Sequence, residues 1–195
     1  AYAEPFDFER LDCAGDAVAV VGAAPSLSAA VDRVADADRI FAASTAADVV
    51  RDAGHDVDLM VTDLDKNPET ARDLTREGTP VAAHAHGDNV PLIEEWMPRF
   101  EEDHVLATTQ AAPVDSVYNF GGFTDGDRAA FLADALGAAE LRFVGWDFDD
   151  PDVSAAKAKK LRWAERLLHL LERLRGERFD VLNGRRAAID PIPTP

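Results

Sequence analysis

The sequence has little positive charge, a single cysteine and no long apolar run. Its 195 residues carry 37 acidic and 20 basic side chains, a net charge of −17, and only four of the basic residues are lysines. Such a negative chain repels nucleic acids and anionic membranes, so neither is expected as a partner. Cys13 has no second cysteine to pair with, which fits a reducing cytoplasm. No run reaches the ~20 apolar residues of a membrane span, and we expect a cytoplasmic protein.

Composition also bounds the organisation of the chain. The length fits one domain with a core of its own, so we predict a single α/β domain over residues 1–195. The first residues are acidic and lack an initiator methionine, so we expect a trimmed N-terminus rather than a signal peptide. Abundant aspartate and scarce lysine suggest adaptation to high salt, where charge repulsion is screened. In such a chain an acidic motif is often only part of the solvated surface.

Apolar runs alternate with segments of helical spacing along the whole sequence. The last helical segment carries an apolar stripe of Leu161, Leu168, Leu171 and Leu174, and the tail 179–195 is expected to add an edge strand. The alternation predicts a doubly wound, mostly parallel α/β sheet with helices on both faces. Strands are predicted at 17–22, 39–44, 57–63, 79–85, 104–109, 116–122 and 140–148, and helices at 26–37, 45–54, 68–78, 88–100, 124–137 and 154–175.

Asp63 and Asp65 follow the apolar run 59–62 directly, where a strand is expected to end. In open parallel sheets, ligands bind at the carboxyl ends of the strands, near the place where the strand order reverses. Two carboxylates one residue apart can face one hard cation such as Mg²⁺, which keeps water and phosphate oxygens as its other ligands. Asp88, in the loop after the next strand, is the expected third carboxylate. The competing interpretation is a set of solvated aspartates in an acidic protein.

Loops after other strands add polar groups at the same predicted edge. The turn that contains Ser26 can start a helix whose free N–H groups suit phosphate, or it can be an ordinary strand–helix turn. His84 and His86 share one face of a strand. They fit phosphate binding or a structural role better than zinc, because no third histidine or cysteine is nearby.

Two segments in the second half of the chain complete the candidates. In "NFGGFTDG", Gly121 and Gly122 let the backbone approach a flat ligand, and Asp125 can bond a heterocycle. The alternative there is a helix cap preceded by a turn. Lys157 and Lys160 lie on one face of the last helix, where they can meet phosphates or remain solvated.

The segments "GAAPSL", "TDLD", "HAHGDN", "NFGGFTDGDRA", "GWDF" and "KAKKL", in this order, together resemble one known family. It is the archaeal 6-hydroxymethyl-7,8-dihydropterin pyrophosphokinase family, the MptE-like proteins. The similarity runs from about residue 18 to residue 168. The strand followed by D-x-D is also similar to thiamin pyrophosphokinases.

The resemblance implies a Mg²⁺-dependent enzyme with ATP as co-substrate. ATP would give its β,γ-diphosphate to the hydroxymethyl group of the pterin and leave AMP, in the synthesis of a tetrahydropterin-type cofactor. Asp63, Asp65 and Asp88 would hold Mg²⁺ and, with Lys157, form the catalytic set. On this hypothesis ATP contacts Gly22, Pro25, Ser26, His86, Asn89 and Lys160, and the pterin contacts Asn119, Gly121, Gly122, Asp125 and Asp147, with Phe123 or Trp146 stacked on its ring.

Several alternatives stay open at the level of sequence. The acceptor could be thiamin, since the pterin and thiamin hypotheses require the same metal and ATP site. A D-x-D motif also serves metal-dependent glycosyltransferases, and a non-catalytic nucleotide or pterin sensor could use the same scaffold. Either Asp125 or Asp147 could act as the base. A homo-oligomer through the exposed side of the last helix is a further possibility.

Overall fold

Six parallel strands form one sheet. The structure is a computed structural model that describes residues 5–194. The strands pair in the order β5-β4-β3-β2-β1-β6, and every pairing is parallel. This confirms the predicted doubly wound sheet. The strands are β1 (Ala17–Val21), β2 (Arg39–Ala43), β3 (Leu59–Thr62), β4 (Val81–Ala85), β5 (Val105–Thr109) and β6 (Glu140–Val144).

Six α-helices connect or follow the strands. The longest ends at Gly176, which adopts the left-handed conformation that glycine tolerates best. The helices are α1 (Leu27–Ala30), α2 (Ala46–Asp52), α3 (Pro68–Glu77), α4 (Val90–Trp96), α5 (Asp125–Ala135) and α6 (Ala155–Arg175). Short 3₁₀ turns lie at Phe8–Leu11, Val31–Asp36, Met97–Arg99, Glu102–His104, Asp180–Leu182 and Arg186–Ala188. None of the helices in residues 5–194 is long and apolar enough to cross a membrane.

Helices cover both faces of the sheet, as predicted. All five residues of β1 are buried, which is the pattern of a strand covered on both sides. Helices α1 to α4 pack on one face, where Leu27, Leu74 and Trp96 join one apolar core. Helices α5 and α6 pack on the other face together with both ends of the described chain. Cys13 is buried and free in this second core, and burial raises the pKa of its thiol to about 11.

Two predicted helices differ from the structure in detail. The segment 26–37 forms one α-turn and then a 3₁₀ helix, in which Val31 and Val34 are buried. On α6, Leu168 and Leu171 are buried as predicted. Leu174 is 53% exposed, so the stripe ends one turn earlier than the sequence pattern suggests.

Two predicted strands are wrong. The segment 116–122 is irregular and makes only isolated bridges, one of them between Tyr118 and Thr108. Positive φ angles at Gly121 and Gly122 prevent an extended backbone there. The tail forms two 3₁₀ turns and no strand up to residue 194. Arg186 instead ties this tail to Glu172 of α6 through an ion pair.

The strand order reverses between β1 and β6. After β1 the chain enters α1 on one face, and it reaches β6 from α5 on the opposite face. The loops after all six strands therefore meet at one edge of the sheet, with the reversal at β1 and β6. Ligand sites of doubly wound proteins lie at this edge.

Candidate active site

The turn after β3 places Asp63 and Asp65 side by side at the carboxyl edge. Between them Leu64 is buried and has a φ of +66°, a strained conformation for a leucine. Its N–H donates to Thr62 Oγ1 at 3.0 Å, and the Asp65 N–H donates to Asp63 Oδ1 at 3.2 Å. The buried leucine thus anchors a tight turn that holds the two carboxyl groups together.

The two carboxyl groups perturb each other. Burial raises the pKa of Asp63, but hydrogen bonds with Asp65 and His86 outweigh burial and hold it below its usual value. Burial and the neighbouring charge of Asp63 raise the pKa of Asp65. His86 Nε2 lies 3.4 Å from Asp63 Oδ2. A close carboxyl pair resists double ionisation, and a bound cation would relieve this repulsion.

Asp125, the first residue of α5, joins the same electrostatic cluster. Burial, and then the charges of Asp63 and Asp65, raise the pKa of Asp125 to about 8. Arg128 and Lys66 oppose that rise. The structure thus brings Asp125 close to the D-x-D turn, although the two lie more than fifty residues apart in the sequence.

Lysines surround these carboxylates. Burial of its ammonium group, and then the charge of Lys66, lower the pKa of Lys157, while Asp125 and Asp65 oppose the change. Lys160 acts on both Asp65 and Lys157. Three of the four lysines of the chain therefore converge on the acidic cluster. Lys66 was missed in the sequence analysis, although its position directly after the D-x-D turn and the scarcity of lysine were visible signals.

The expected third carboxylate does not join the pair in this structure. Asp88 is exposed, and residues 5–194 contain no group of three or more histidine, cysteine, aspartate or glutamate side chains that could hold a metal ion. Its role as a ligand stays a prediction. Mg²⁺ is usually bound by only one or two carboxylates, with water and substrate phosphate completing its shell. The Asp63–Asp65 pair has the hard oxygen donors that this requires.

Asn89 links the ends of β3 and β4. Its amide nitrogen donates to Asp63 O at 2.8 Å and to His84 O at 2.7 Å, and its Oδ1 accepts from the His86 N–H at 2.9 Å. The side chain is buried and both of its N–H groups are engaged. Asn89 was predicted to contact ATP, but the structure gives its side chain a positioning role for the D-x-D turn.

The loops at the strand reversal bind each other. Asp147 accepts hydrogen bonds from the Ser26 N–H at 3.2 Å and from the Ser26 hydroxyl at 2.9 Å. These two hydrogen bonds occupy Ser26, which was predicted to contact ATP, and Asp147, which was predicted to contact the pterin. A Cβ added to Gly22 would lie 2.6 Å from Gly145 O, so Gly22 serves a close backbone contact. Pro25 is exposed in this turn, and its contact with ATP stays a prediction.

The glycine pair packs against protein. A Cβ on Gly121 would lie 3.2 Å from Phe131 Cδ1, and a Cβ on Gly122 would lie 2.7 Å from Arg128 Cα. Asn119 closes the same loop by donating to Ala111 O and accepting from the Gly121 N–H. The pair was predicted to approach a flat ligand, and the structure shows that it lets the loop lie against α5.

The Trp146 ring also has structural contacts. Its Nε1–H donates to Val20 O at 2.9 Å, and a Cβ on Gly126 would lie 2.7 Å from Trp146 Cη2. Phe123, the other predicted stacking residue, is exposed at the rim of the edge. Stacking on the pterin stays a prediction for both rings.

Substitution of Gly122 by alanine is expected to destabilise the fold by about 2–4 kcal/mol, because it adds left-handed strain to a clash with the α5 backbone. Gly15 has a similar positive φ and open space around it, so Gly15→Ala is expected to cost only about 1–2 kcal/mol. Urea unfolding of the two variants measures the difference. Equal losses would show that the contact with Arg128 carries no energy.

His84, which the sequence assigned to phosphate binding or a structural role, and Arg128, which it missed as a site residue, line a small pocket beside the acidic cluster. His84 is buried. Burial, and then the charge of Arg128, lower the pKa of its imidazole to about 3. Burial also lowers the pKa of the guanidinium group of Arg128. No sequence pattern singled out Arg128, because an arginine in the first turns of a helix usually faces solvent.

An all-parallel sheet with clustered carboxylates and lysines at its carboxyl edge defines this chain as a doubly wound α/β protein with a charged ligand edge. Comparison with known families makes the assignment specific. A family model described as "6-hydroxymethylpterin diphosphokinase MptE-like" matches residues 5–153, and the chain belongs to this family. The resemblance seen in the sequence motifs is thereby confirmed.

Relatives from three archaea carry one name, 6-hydroxymethyl-7,8-dihydropterin pyrophosphokinase. The protein of Methanothermobacter thermautotrophicus is 37% identical over 171 residues, which cover 79% of this chain and 73% of the relative. The Pyrococcus furiosus protein is 40% identical over 173 residues, 80% of this chain and 71% of the relative. The Methanocaldococcus jannaschii protein is 34% identical over 134 residues, 59% of this chain and 55% of the relative.

Proposed function

We propose that the protein transfers the β,γ-diphosphate of ATP to the hydroxymethyl group of 6-hydroxymethyl-7,8-dihydropterin and releases AMP. Family membership and the name shared by the three relatives support this substrate and reaction. The observation that carries the proposal is the convergence of Asp63, Asp65 and Asp125 with three lysines at the carboxyl edge. This arrangement suits a polyanion that arrives with a divalent cation.

Asp63 and Asp65 are the residues that would hold Mg²⁺. Their carboxyl groups adjoin each other, and burial, followed by the hydrogen bond with Asp63 and its charge, raises the pKa of Asp65; a cation would relieve the repulsion between the two. When bound, Mg²⁺ supplies charge neutralisation and polarisation of the attacked phosphoryl group. Asn89 fixes the main chain of Asp63, so the pair is held in place before any ligand arrives.

The remaining residues have positioning and electrostatic roles. Phosphoryl transfer depends mainly on alignment and on stabilisation of charge, because the protein supplies little covalent chemistry. Lys66, Lys157 and Lys160 would offset the remaining triphosphate charge. Of the two aspartates that the sequence left open as base, Asp147 is engaged by Ser26. Asp125, which lies beside the D-x-D turn, is therefore the one that we assign to orient the acceptor hydroxyl.

The proposal is tested by incubating the purified chain with ATP, Mg²⁺ and the reduced pterin, followed by separation of the nucleotides and pterins. The expected result is equal amounts of AMP and pterin diphosphate, with no AMP when Mg²⁺ is chelated. Release of ADP instead of AMP would contradict diphosphoryl transfer. A parallel reaction with thiamin tests the alternative acceptor, and binding of the pterin without turnover would indicate a sensor.

A further inference from the structure

A pocket lies between β4, β5, α5 and the irregular loop that follows β5. It contains about 250 Å³ of space that runs out to solvent, and its inner part has room for little more than one water molecule. Its polar and aromatic lining consists of His84, Thr108, Thr109, Phe120, Gly121 and Arg128. The mechanism proposed above makes no use of this pocket.

The inner wall of the pocket carries an unpaired hydrogen-bond acceptor. The Thr108 hydroxyl lies 3.2 Å from Ala83 O and donates its single proton there. It can then only accept from His84 Nδ1, which lies 3.1 Å away. This places the proton of the neutral imidazole on Nδ1. His84 Nε2 is thus a bare acceptor, it has no partner among residues 5–194, and the residue is only 1% exposed.

A second polar group, of opposite character, faces the same space. Arg128 is 7% exposed, and within the described part of the chain its guanidinium group donates no hydrogen bond and forms no ion pair. The carboxylates of Asp127, Asp125 and Asp63 act on it only through their charges. The nitrogens of Arg128 are not fully buried, so these donors are available to a ligand acceptor that replaces water.

We propose that this pocket binds the amide edge of the pterin ring, with the ring carbonyl accepting from Arg128 and an N–H group donating to His84 Nε2. The inference rests on the function proposed above and names the groups that select its acceptor. A 2-amino-4-oxopyrimidine ring presents a carbonyl and N–H donors side by side, which matches one fork of donors beside one bare acceptor. Phe120 supplies an apolar wall for the ring.

The same chemistry separates the pterin from its competitors. Adenine and the aminopyrimidine of thiamin also present an acceptor beside an amino donor, but their acceptor is a ring nitrogen with a single lone pair. The pterin carbonyl oxygen has two lone pairs and can accept from both arms of the guanidinium fork, so discrimination at this pocket rests on the second donor, which a ring nitrogen leaves unpaired. The pocket lies next to Asp125, so a ring held there would present its substituent toward the acidic cluster.

Entry of the ring requires the pocket to widen. In this proposal the wall that moves is the loop segment at Phe120 and Gly121, which belongs to no strand or helix. Its displacement breaks the hydrogen bond from the Gly121 N–H to Asn119 Oδ1 and leaves the pairing of β4 with β5 in place.

The test uses Arg128→Met and His84→Phe, which remove the donor fork and the bare acceptor while keeping side-chain volume nearly constant. Each variant is expected to raise the KM for the pterin by about 10- to 100-fold, the range for the loss of one buried hydrogen bond to a ligand. The KM for ATP is expected to stay within about twofold of wild type. Arg99→Gln, which removes an exposed arginine from the opposite face, serves as the matched control.

Equilibrium binding of 6-hydroxymethylpterin, followed by its fluorescence, provides a second measurement that needs no turnover. If Arg128→Met does not fold, Arg128→Leu and His84→Phe carry the test. Wild-type values for the pterin in both folded variants would overturn the pocket assignment, as would a rise in the ATP KM alone, which would assign the pocket to adenine. Wild-type protein that binds the pterin but forms no AMP would overturn the proposed reaction and leave the pocket assignment intact.

Discussion

Replacement of Asp63 or Asp65 by asparagine is expected to lower kcat/KM for diphosphate transfer by at least about a thousandfold, because each variant removes a carboxylate that would neutralise and orient the cation. Asparagine keeps the size of the side chain, so the turn around Leu64 is expected to persist. Initial rates of AMP formation over a Mg²⁺ titration measure the effect. Residual activity should require a higher Mg²⁺ concentration than the wild type.

The matched control is Asp52→Asn, which removes an exposed carboxylate at the end of α2, at the opposite edge of the sheet. Its activity and Mg²⁺ dependence are expected to match the wild type. Urea unfolding of all three variants separates loss of chemistry from loss of fold. Full Mg²⁺-dependent turnover in Asp63→Asn or Asp65→Asn would remove the metal assignment and, with it, the mechanism proposed for this edge.

The second large effect is expected at Lys157. Lys157→Gln is expected to reduce kcat by about 100-fold, the usual loss when one preorganised charged donor to a developing anion is removed. Burial and then the charge of Lys66 lower the pKa of its ammonium group, and the nearby charges of Asp125 and Asp65 oppose that shift. The measurement is single-turnover transfer at saturating ATP and pterin, which isolates the chemical step from binding.

Lys159 provides a close comparison for Lys157. It lies two residues further along α6 and is exposed like Lys157, but it does not take part in the acidic cluster. Lys159→Gln is therefore expected to keep wild-type kcat, although it changes the net charge by the same amount. Equal losses in the two variants would mean that overall charge, rather than the position of one ammonium group, governs the rate.

Most of the fold followed from local pattern in the sequence. Buried parallel strands appear as short continuous apolar runs, and helices such as α3 are marked by Pro68 at their start and Gly78 at their end. Segments 116–122 and 179–195 were wrongly predicted as strands. The first makes a single bridge to β5 through Tyr118, and in both the apolar side chains pack into the core beside α5 and α6. Sequence periodicity does not distinguish such packing from strand pairing.

Candidate site residues that lie close together in the sequence were predictable. Those whose contacts depend on how distant loops pack were less so. The D-x-D turn and Lys157 were visible because carboxylates at a strand end and clustered lysines stand out in composition. Asn89 and Asp147 were correctly placed at the edge, but their hydrogen bonds to Asp63 O and Ser26 depend on how loops meet in three dimensions. A single sequence does not show where a side chain points when two loops meet.

The unpaired groups were the hardest to foresee. His84 appeared only as half of a histidine pair, and the unused acceptor on its ring follows from the direction of the Thr108 hydroxyl bond. Arg128 carries no local signal, since its burial results from the glycine loop that lies across it. Both observations need coordinates, because each concerns a hydrogen bond that is missing.

The strand order has a consequence for folding during synthesis on the ribosome. Strands β2 to β5 each pair with the strand made just before, so strands β1 to β5 can assemble as the nascent chain emerges. Strand β6 must return to β1, pairing Glu140 with Ala17, and this long closure comes late. Asp125, Lys157 and Lys160 arrive only with that closing step. A partly synthesised chain therefore presents its aspartate pair with Lys66 alone, and the charged cluster is completed in one final event.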